Sequence, residues 1–291
     1  MLAAIEAGGT KFVCGIGDAT GSRLTRTIPT RDPDSTLADV ARFLAEAAAE
    51  HGAFTAIGIG SFGPLDLDRT SPTYGSIAAT PKPGWAGTDM PGFLKARFGV
   101  PVAIDTDVNV AALAEARLSG VRRLAYVTVG TGIGVGFARN GETETGFGHA
   151  EAGHIPVRRH ADHGIFAGTC PFHGDCLEGM ASGPAIKAAW GHSLEGLPPD
   201  HPAWDVTATY LGQLCRTLIL TTMPERIVLG GGVMAQERLL PLVREATEKQ
   251  LNGYCGPWTH EAFTTRIHLP QSQEPPGLVG AYLLAATVAD Q

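Results

Sequence analysis

Two stretches of this chain repeat one pattern, in which a short apolar strand enters a glycine turn and a second strand leaves it. The first turn is Gly8-Gly9-Thr10-Lys11, and the second is Gly130-Thr131-Gly132-Ile133-Gly134. An apolar run before and after the glycines is typical of antiparallel strands joined by a tight turn. One such pair of strands in each half of the chain predicts a duplicated α/β architecture of two domains, with a cleft between them.

Strands and helices alternate around these turns. Strands are predicted at residues 24–28, 56–60, 102–104, 124–129, 135–138 and 227–229. Helices are predicted from Ser35, with Ser35 or Asp34 as the N-cap, over residues 108–118 and over residues 278–288. The predicted domains are a smaller N-terminal α/β domain at residues 1–117 and a larger C-terminal α/β domain at 118–276, with the helix at about 277–291 packing back on the first.

The composition argues against several classes of function. A net charge of −7 without a basic run is unfavourable for a nucleic-acid partner, which normally requires a face rich in Lys and Arg. No stretch approaches the roughly 20 apolar residues that cross a bilayer, so no membrane partner is expected. The five cysteines are an odd number, and the first residues lack the basic lead of a signal peptide. We therefore expect no disulfide framework and a cytoplasmic location.

Both glycine turns are candidate phosphate sites. Each places a threonine beside glycine, so that backbone N–H groups and a hydroxyl can face an anion. Neither has the lysine and spacing of a Walker loop, and the second is followed by a strand where a dinucleotide fingerprint requires a helix. Taken singly, each turn is equally compatible with a tight turn that binds nothing.

Two aspartates stand where a strand is predicted to meet a helix, in the run Asp105-Thr106-Asp107-Val108-Asn109. Transfer of a phosphoryl group to a hydroxyl requires a group that accepts the hydroxyl proton, and a carboxylate at the mouth of a cleft suits that task. The alternative is helix capping, because Asp and Thr are frequent at a helix start for that reason alone. The run is a candidate for either role.

Cysteine and histidine residues cluster in the run Cys170-Pro-Phe-His173-Gly-Asp-Cys176-Leu-Glu178, with further histidines upstream. Two thiols and two imidazoles at short spacings suit one tetrahedral zinc ion, and the site is expected to be closed and structural. The upstream histidines that could complete it are His149, His154, His160 and His163. The remaining cysteines are expected to be small buried hydrophobic residues: Cys14, Cys215 and Cys255.

The run Glu151-Ala-Gly-His154 ahead of this cluster resembles the ROK family of repressors, open reading frames and kinases. The resemblance extends over essentially the whole chain, from Glu6 to Ala281. It implies the two-domain α/β fold of actin, Hsp70 and sugar kinases (ribonuclease H-like), with a cleft between the domains. It also selects the ligands of the structural Zn²⁺: His154, Cys170, His173 and Cys176.

The resemblance further implies a sugar kinase that uses ATP and Mg²⁺, and it gives the candidate residues roles. Asp107 is the catalytic base, and Asp105 is left as structural. The ATP phosphates are approached by Gly9, Thr10, Lys11, Thr131 and Gly132, and the adenosine by Gly230, Gly231 and Gly232. The sugar hydroxyls are contacted by Asn109, Glu151, His154 and Glu178. Glu6 stands where the family commonly has an Asp that helps to hold Mg²⁺, and loops at residues 61–66 and 80–85 resemble loops that border the sugar.

The form Cys-Pro-Phe-His-Gly-Asp-Cys resembles a fructokinase-like branch of the family, so the expected reaction is phosphorylation of fructose at its 6-hydroxyl. Glucose, mannose and N-acetylmannosamine are the alternative substrates. A sugar-sensing repressor would carry a helix-turn-helix ahead of the first glycine turn, and no room for one is expected before residue 8. A catalytically idle sugar-binding protein is the third alternative. The resemblance also implies a homodimer.

Overall fold

The computed structural model describes residues 1–80 and 82–289, within which the chain forms two compact units. The first unit comprises Met1–Arg122, Gly136–Ala150 and Gln271–Gln291, and the second comprises Arg123–Val135 and Glu151–Pro270. The sequence division at residues 117 and 276 differs chiefly in that Gly136–Ala150 groups with the first unit. A bond from the backbone to a side chain accounts for part of this, because the Phe137 N–H donates to Asn109 Oδ1 at 3.0 Å. The last two residues of the predicted C-terminal segment lie outside the described residues.

Two mixed sheets carry the fold. The strands are β1 (Leu2–Ala7), β2 (Lys11–Asp18), β3 (Gly21–Pro29), β4 (Ile57–Ser61), β5 (Val102–Thr106), β6 (Arg123–Val129), β7 (Ile133–Arg139), β8 (Glu142–Thr143), β9 (Arg226–Gly230) and β10 (Ile267–His268). One sheet has the order β3-β2-β1-β4-β5 and the other β10-β9-β6-β7-β8. In the first, β1 is antiparallel to β2 and parallel to β4. The α/β class predicted from the sequence is confirmed.

Helices connect the parallel strands. They are α1 (Pro33–His51), α2 (Met90–Phe98), α3 (Asp107–Ser119), α4 (Leu177–Ala181), α5 (Gly183–Trp190), α6 (Ala203–Thr222), α7 (Leu239–Leu251), α8 (His260–Arg266) and α9 (Pro276–Ala286). Two neighbouring parallel strands cannot be joined by a tight turn, which is why α2 lies between β4 and β5 in the chain. Among the described residues, no helix combines the length and the apolar character that crossing a bilayer requires.

The first sheet is buried on both faces. Alternate residues of a strand point to opposite sides, so Ile5 joins a core with helix α1 while Ala4 joins a core with helix α9. The core on the α1 side contains an aromatic group in which the Trp85 ring lies 5.5 Å from that of Phe12. Trp85 is fully buried and donates its indole N–H to the Arg31 carbonyl at 2.8 Å. It therefore packs in the core.

Helix α9 approaches its neighbours closely because glycines face it. A Cβ at Gly58 in β4 would lie 1.9 Å from the Ala281 carbonyl oxygen of α9. A Cβ at Gly280 would lie 1.8 Å from the Val110 carbonyl oxygen of α3. No side chain fits in these spaces, so α9 is in backbone contact with both elements. It thereby holds the helix whose first residue is Asp107.

Several local predictions need correction. Helix α1 begins at Pro33, and its cap is Asp32, which accepts from the Ser35 N–H at 2.9 Å, so neither Asp34 nor Ser35 is the N-cap. Proline favours the first helical position because its fixed φ suits the helix and it has no N–H to leave unpaired. Strand β7 begins at Ile133, two residues before the predicted start. Cys255 is only partly buried and lies at φ +80°, unlike the two cysteines that are in the core.

Candidate active site

The first glycine turn links β1 to β2. The Gly8 N–H donates to the Lys11 carbonyl at 3.0 Å, and a Cβ at Gly8 would lie 2.8 Å from that oxygen. Gly9, Thr10 and Lys11 are exposed. Lys82 donates its ammonium to the Gly9 carbonyl, a contact that sequence reasoning missed although it singled out the surrounding loop. Residue 81 of that loop lies outside the described residues.

Glu6, in strand β1, points its side chain at the start of α9. A Cβ at Gly277 would lie 2.7 Å from the Glu6 carboxyl carbon, so glycine is needed there. Burial raises the pKa of Glu6, while the charge of Lys11 and a bond from the Leu278 backbone lower it. The Glu6 Oε2 atom is buried, and it has no hydrogen-bond partner among the described residues. A carboxylate oxygen without another partner is the kind of ligand that Mg²⁺ takes.

The start of α3 separates two roles that the sequence left open for Asp107. Thr106 is the N-cap, because its hydroxyl accepts from the Asn109 N–H at 3.1 Å. Asp107 is the first helical residue, is half-buried, and accepts from the Val108 N–H at 2.9 Å. The capping function is thus filled by the neighbouring threonine. Asp107 lies at the positive end of the helix dipole, which stabilises a carboxylate.

Asp105 and Asn109 form a buried pair beneath this helix start. The Asn109 amide donates to Asp105 Oδ1 at 2.7 Å, and its oxygen accepts the Phe137 N–H. Burial raises the pKa of Asp105, while bonds from the Thr143 hydroxyl, the Asn109 amide and the Thr106 N–H lower it. Both ends of the Asn109 carboxamide therefore bond to protein groups. This arrangement gives Asn109 a structural part in holding β5 and Phe137 to α3.

The second glycine turn lies in the second unit, between β6 and β7. The Gly130 N–H donates to the Gly132 carbonyl at 2.9 Å, and the Gly130 carbonyl accepts from the Gly183 N–H at 2.8 Å. Thr131 is exposed at its tip. The Ile133 N–H donates to Glu178 Oε2 at 2.8 Å. The turn is therefore held from below by α5 and by a side chain of α4.

The triple glycine at residues 230–232, which begins at the last residue of β9, packs against β6. A Cβ at Gly230 would lie 2.3 Å from the Tyr126 hydroxyl oxygen. Gly231 has φ +89°, and a Cβ there would lie 2.4 Å from the Val129 carbonyl oxygen. Gly232 has open space around it and begins a short 3₁₀ turn. The Tyr126 side chain therefore accounts for Gly230, and the positive φ and the close approach to the Val129 backbone account for Gly231.

The structure brings the four expected metal ligands together. The ligand atoms of His154, Cys170, His173 and Cys176 all lie within 4.8 Å of one another. The His154 Nδ1 atom is 3.7 Å from Cys170 Sγ and 3.5 Å from Cys176 Sγ. Tetrahedral zinc with ordinary bond lengths separates a sulfur from a nitrogen by about 3.6 Å. The donor set and its spacing thus fit one zinc ion.

Backbone pairing positions these ligands. Cys170 and Gly174 exchange two backbone hydrogen bonds of 3.2 and 2.9 Å, which fold the run into a tight loop. The Leu177 N–H donates to the Ile155 carbonyl at 3.0 Å and so joins the segment of Cys176 to that of His154. Burial, together with the neighbouring Cys170 thiol, raises the pKa of Cys176. A bound cation would reverse this effect, since the thiolate is the form that binds metal.

The alternative histidines are engaged elsewhere. His149 Nε2 accepts from the Leu65 N–H at 3.0 Å, in the first unit. His160 Nε2 lies 3.2 Å from an Asp205 carboxylate oxygen, and His163 Nδ1 lies 2.9 Å from the Tyr210 hydroxyl. Only His154 among them lies with the two thiols in the part of the chain that the structure describes.

Two glutamates flank the cluster. Glu151 is exposed and precedes the 3₁₀ turn Ala152–His154, whose His154 N–H donates to its carbonyl at 3.0 Å. Glu178 is half-buried in the first turn of α4, directed at the second glycine turn. Sequence reasoning assigned Glu178 only to the sugar. It did not find the Ile133 bond, for which the glycine at position 132 is the one available signal.

Comparisons of the sequence and of the fold with known proteins point to one family. The model of the ROK family matches residues 2–288. The fructokinase of Zymomonas mobilis subsp. mobilis is 43% identical, covering 97% of this chain and 95% of its own. That of Lactococcus lactis subsp. cremoris is 42% identical, covering 93% and 91%. The solved ROK hexokinase from Thermus thermophilus has a TM-score of 0.79 at 27% identity and covers 98% of both chains.

Proposed function

The chain belongs to the ROK family, and we propose that it is an ATP-dependent fructokinase that phosphorylates fructose at the 6-hydroxyl. The observation that carries this proposal is its identity of 42% and 43% to two fructokinases over more than nine-tenths of its length. The site residues described above supply the groups that such a reaction needs. The geometry of each unit, taken by itself, supports the roles proposed below.

Asp107 is the proposed base. Its carboxylate stands at the first position of α3, where the helix dipole favours the ionised form that can accept a proton. Because Thr106 already caps the helix, Asp107 is not needed for that purpose. It accepts the proton of the 6-hydroxyl as that oxygen bonds to the γ-phosphorus of ATP, while the bond from the γ-phosphorus to the bridging β-phosphate oxygen breaks and ADP leaves.

The two glycine turns are the proposed phosphate sites. Thr10, Lys11 and Thr131 are exposed at the turns, and the Lys11 ammonium offsets negative charge on the phosphates. Glu6, next to last in β1 and just ahead of the first turn, is the residue that would help to hold Mg²⁺, through water. When bound, Mg²⁺ neutralises charge on the transferring phosphate. Gly230, Gly231 and Gly232 are proposed to lie against the adenosine.

The proposed sugar contacts are Asn109, Glu151, His154 and Glu178. The Nδ1 atom of His154 faces both thiols, which leaves Nε2 to bond a sugar hydroxyl while Nδ1 binds the metal. Asn109 would use the amide hydrogen that its bond to Asp105 does not occupy. Such polar contacts discriminate among sugars because each loses its partner when a hydroxyl is absent or inverted.

His154, Cys170, His173 and Cys176 would hold a structural Zn²⁺. Four strong ligands complete a tetrahedral shell and leave no position for substrate, so the ion would hold together the two segments that carry His154 and Glu178. The homodimer implied by the resemblance and the cytoplasmic location expected from the composition stay predictions, and sedimentation of the purified protein tests the first of them.

The test is ADP release with Mg-ATP against fructose, glucose, mannose and N-acetylmannosamine, compared as kcat/KM. We expect fructose to lead by about tenfold or more, because the sugar-binding groups reject wrongly placed hydroxyls. A lead by another sugar would keep a ROK kinase and discard fructose as its substrate. Absence of turnover with all four would overturn the kinase and leave a sugar-binding protein.

A further inference from the structure

The Glu178 side chain is hydrogen-bonded to the backbone at the end of the second glycine turn. Its Oε2 atom accepts the Ile133 N–H at 2.8 Å, across a sequence separation of 45 residues. An N–H bond to a carboxylate is charge-assisted and stronger than a bond between neutral groups. The bond therefore fixes the residue at which the turn ends and β7 begins.

The composition of the turn suits this contact. A Cβ at Gly132 would lie 2.6 Å from Glu178 Oε2, so any side chain at that position would displace the carboxylate. Gly132 is thus required by Glu178, in addition to any approach of a phosphate to the turn. Thr131, one residue earlier, remains exposed at the tip.

The carbonyl group of Ile133 is covered by the segment that carries the metal ligand His154. A Cβ at Gly153 would lie 1.8 Å from the Ile133 carbonyl oxygen, so the backbone next to His154 is pressed against it. Glu178 follows the ligand Cys176 by two residues, and Gly153 precedes the ligand His154 by one. The segments that carry two metal ligands therefore contact the N–H and the C=O of Ile133.

We propose that Glu178 is a positioning residue of the second phosphate turn, which it holds through the Ile133 N–H. The role rests on the proposed function, since it assumes that this turn receives the ATP phosphates. It differs from a sugar contact in one measurable respect: loss of Glu178 weakens nucleotide binding when no sugar is present. A group that touches only the sugar has no effect on that quantity.

The experiment is calorimetric titration of the metal-loaded protein, without sugar, with a non-hydrolysable ATP analogue and Mg²⁺. Glu178→Ala should raise the nucleotide Kd about tenfold, equivalent to about 1.4 kcal/mol. Glu178→Gln should restore most of the affinity, because its carbonyl oxygen can still accept the Ile133 N–H. Glu195→Ala, an exposed glutamate of the same unit, is the matched control and should leave Kd unchanged.

An unchanged nucleotide Kd in Glu178→Ala, with a weakened fructose Kd measured separately, would overturn the proposal and leave a sugar contact only. If Glu178→Ala does not fold, Glu178→Asp keeps the charge but shortens the side chain, so that its carboxylate withdraws from the Ile133 N–H and the nucleotide Kd should also rise; normal affinity there overturns the proposal. If the wild-type protein binds the nucleotide but phosphorylates no sugar, the proposed kinase activity is refuted. The nucleotide Kd of Glu178→Ala would still decide whether Glu178 positions the turn. Failure of the wild type to bind nucleotide would overturn both.

Discussion

Replacing Asp107 by Asn tests the proposed base with little disturbance of the fold. The two side chains have the same shape, and the asparagine oxygen can accept the Val108 N–H as Asp107 Oδ1 does at 2.9 Å. The N-cap of α3 is untouched, because it is supplied by Thr106. What the change removes is the negative charge and the ability to take up a proton.

The expected effects on rate and on stability are therefore of different size. Loss of a general base typically costs about 10² to 10⁴ in rate, or about 2.7 to 5.4 kcal/mol of transition-state stabilisation. Loss of a charge at a helix N-terminus costs about 0.3 to 1 kcal/mol of folding free energy. In a chain of this length that lowers Tm by at most about 4 °C.

Two assays separate these effects: steady-state kcat and KM with Mg-ATP and fructose, and a thermal unfolding scan. We expect kcat of Asp107→Asn to fall at least about 100-fold while Tm stays within that range. Asp34→Asn is the control, because Asp34 is an exposed aspartate in the first turn of α1 and loses the same charge. A kcat within about tenfold of wild type at an unchanged Tm would refute the assignment of Asp107 as the base.

Two further predictions concern the zinc ligand Cys176 and the buried carboxylate of Asp105. Cys176→Ser should lose bound zinc and unfold at lower temperature, since binding of structural zinc contributes on the order of 10 kcal/mol to folding in small peptides. The control is Cys255→Ser, and metal content is measured by atomic absorption. Full metal content in Cys176→Ser would contradict the proposed ligand set. Burial raises the pKa of Asp105 above its ordinary value of 3.8, so the folded protein binds this proton more tightly than the unfolded chain. That contribution to stability is present below pH 3.8 and is lost as pH rises through the raised pKa of Asp105. Urea unfolding across this pH range should show a smaller decline in the free energy of unfolding for Asp105→Asn than for the wild type. Equal declines in the two proteins would contradict the raised pKa.

The start of α3 shows where sequence reasoning reaches its limit. The sequence was sufficient to place a strand, an aspartate run and a helix in the correct order. It could not tell which residue caps the helix, because that depends on where β5 ends. Asp105 and Thr106 stay in the strand since they pair with Gly60 and Ser61 of β4, more than forty residues earlier. A partner strand supplied by the fold therefore decides the local roles of Thr106 and Asp107.

The metal ligands and the neighbouring Glu178 show the same division between local and distant contacts. Cys170, His173 and Cys176 lie within one tight loop, so their spacing alone brings the ligand atoms within reach of one ion. The bond between Glu178 and Ile133 spans 45 residues, and no local pattern predicts it. Gly132 is explained equally well by a phosphate that approaches the turn and by a carboxylate beneath it. Because one glycine has two sufficient causes, its presence supports neither over the other. The comparison of Glu178→Ala, which removes the acceptor, with Glu178→Gln, which keeps it, tests the carboxylate as a cause.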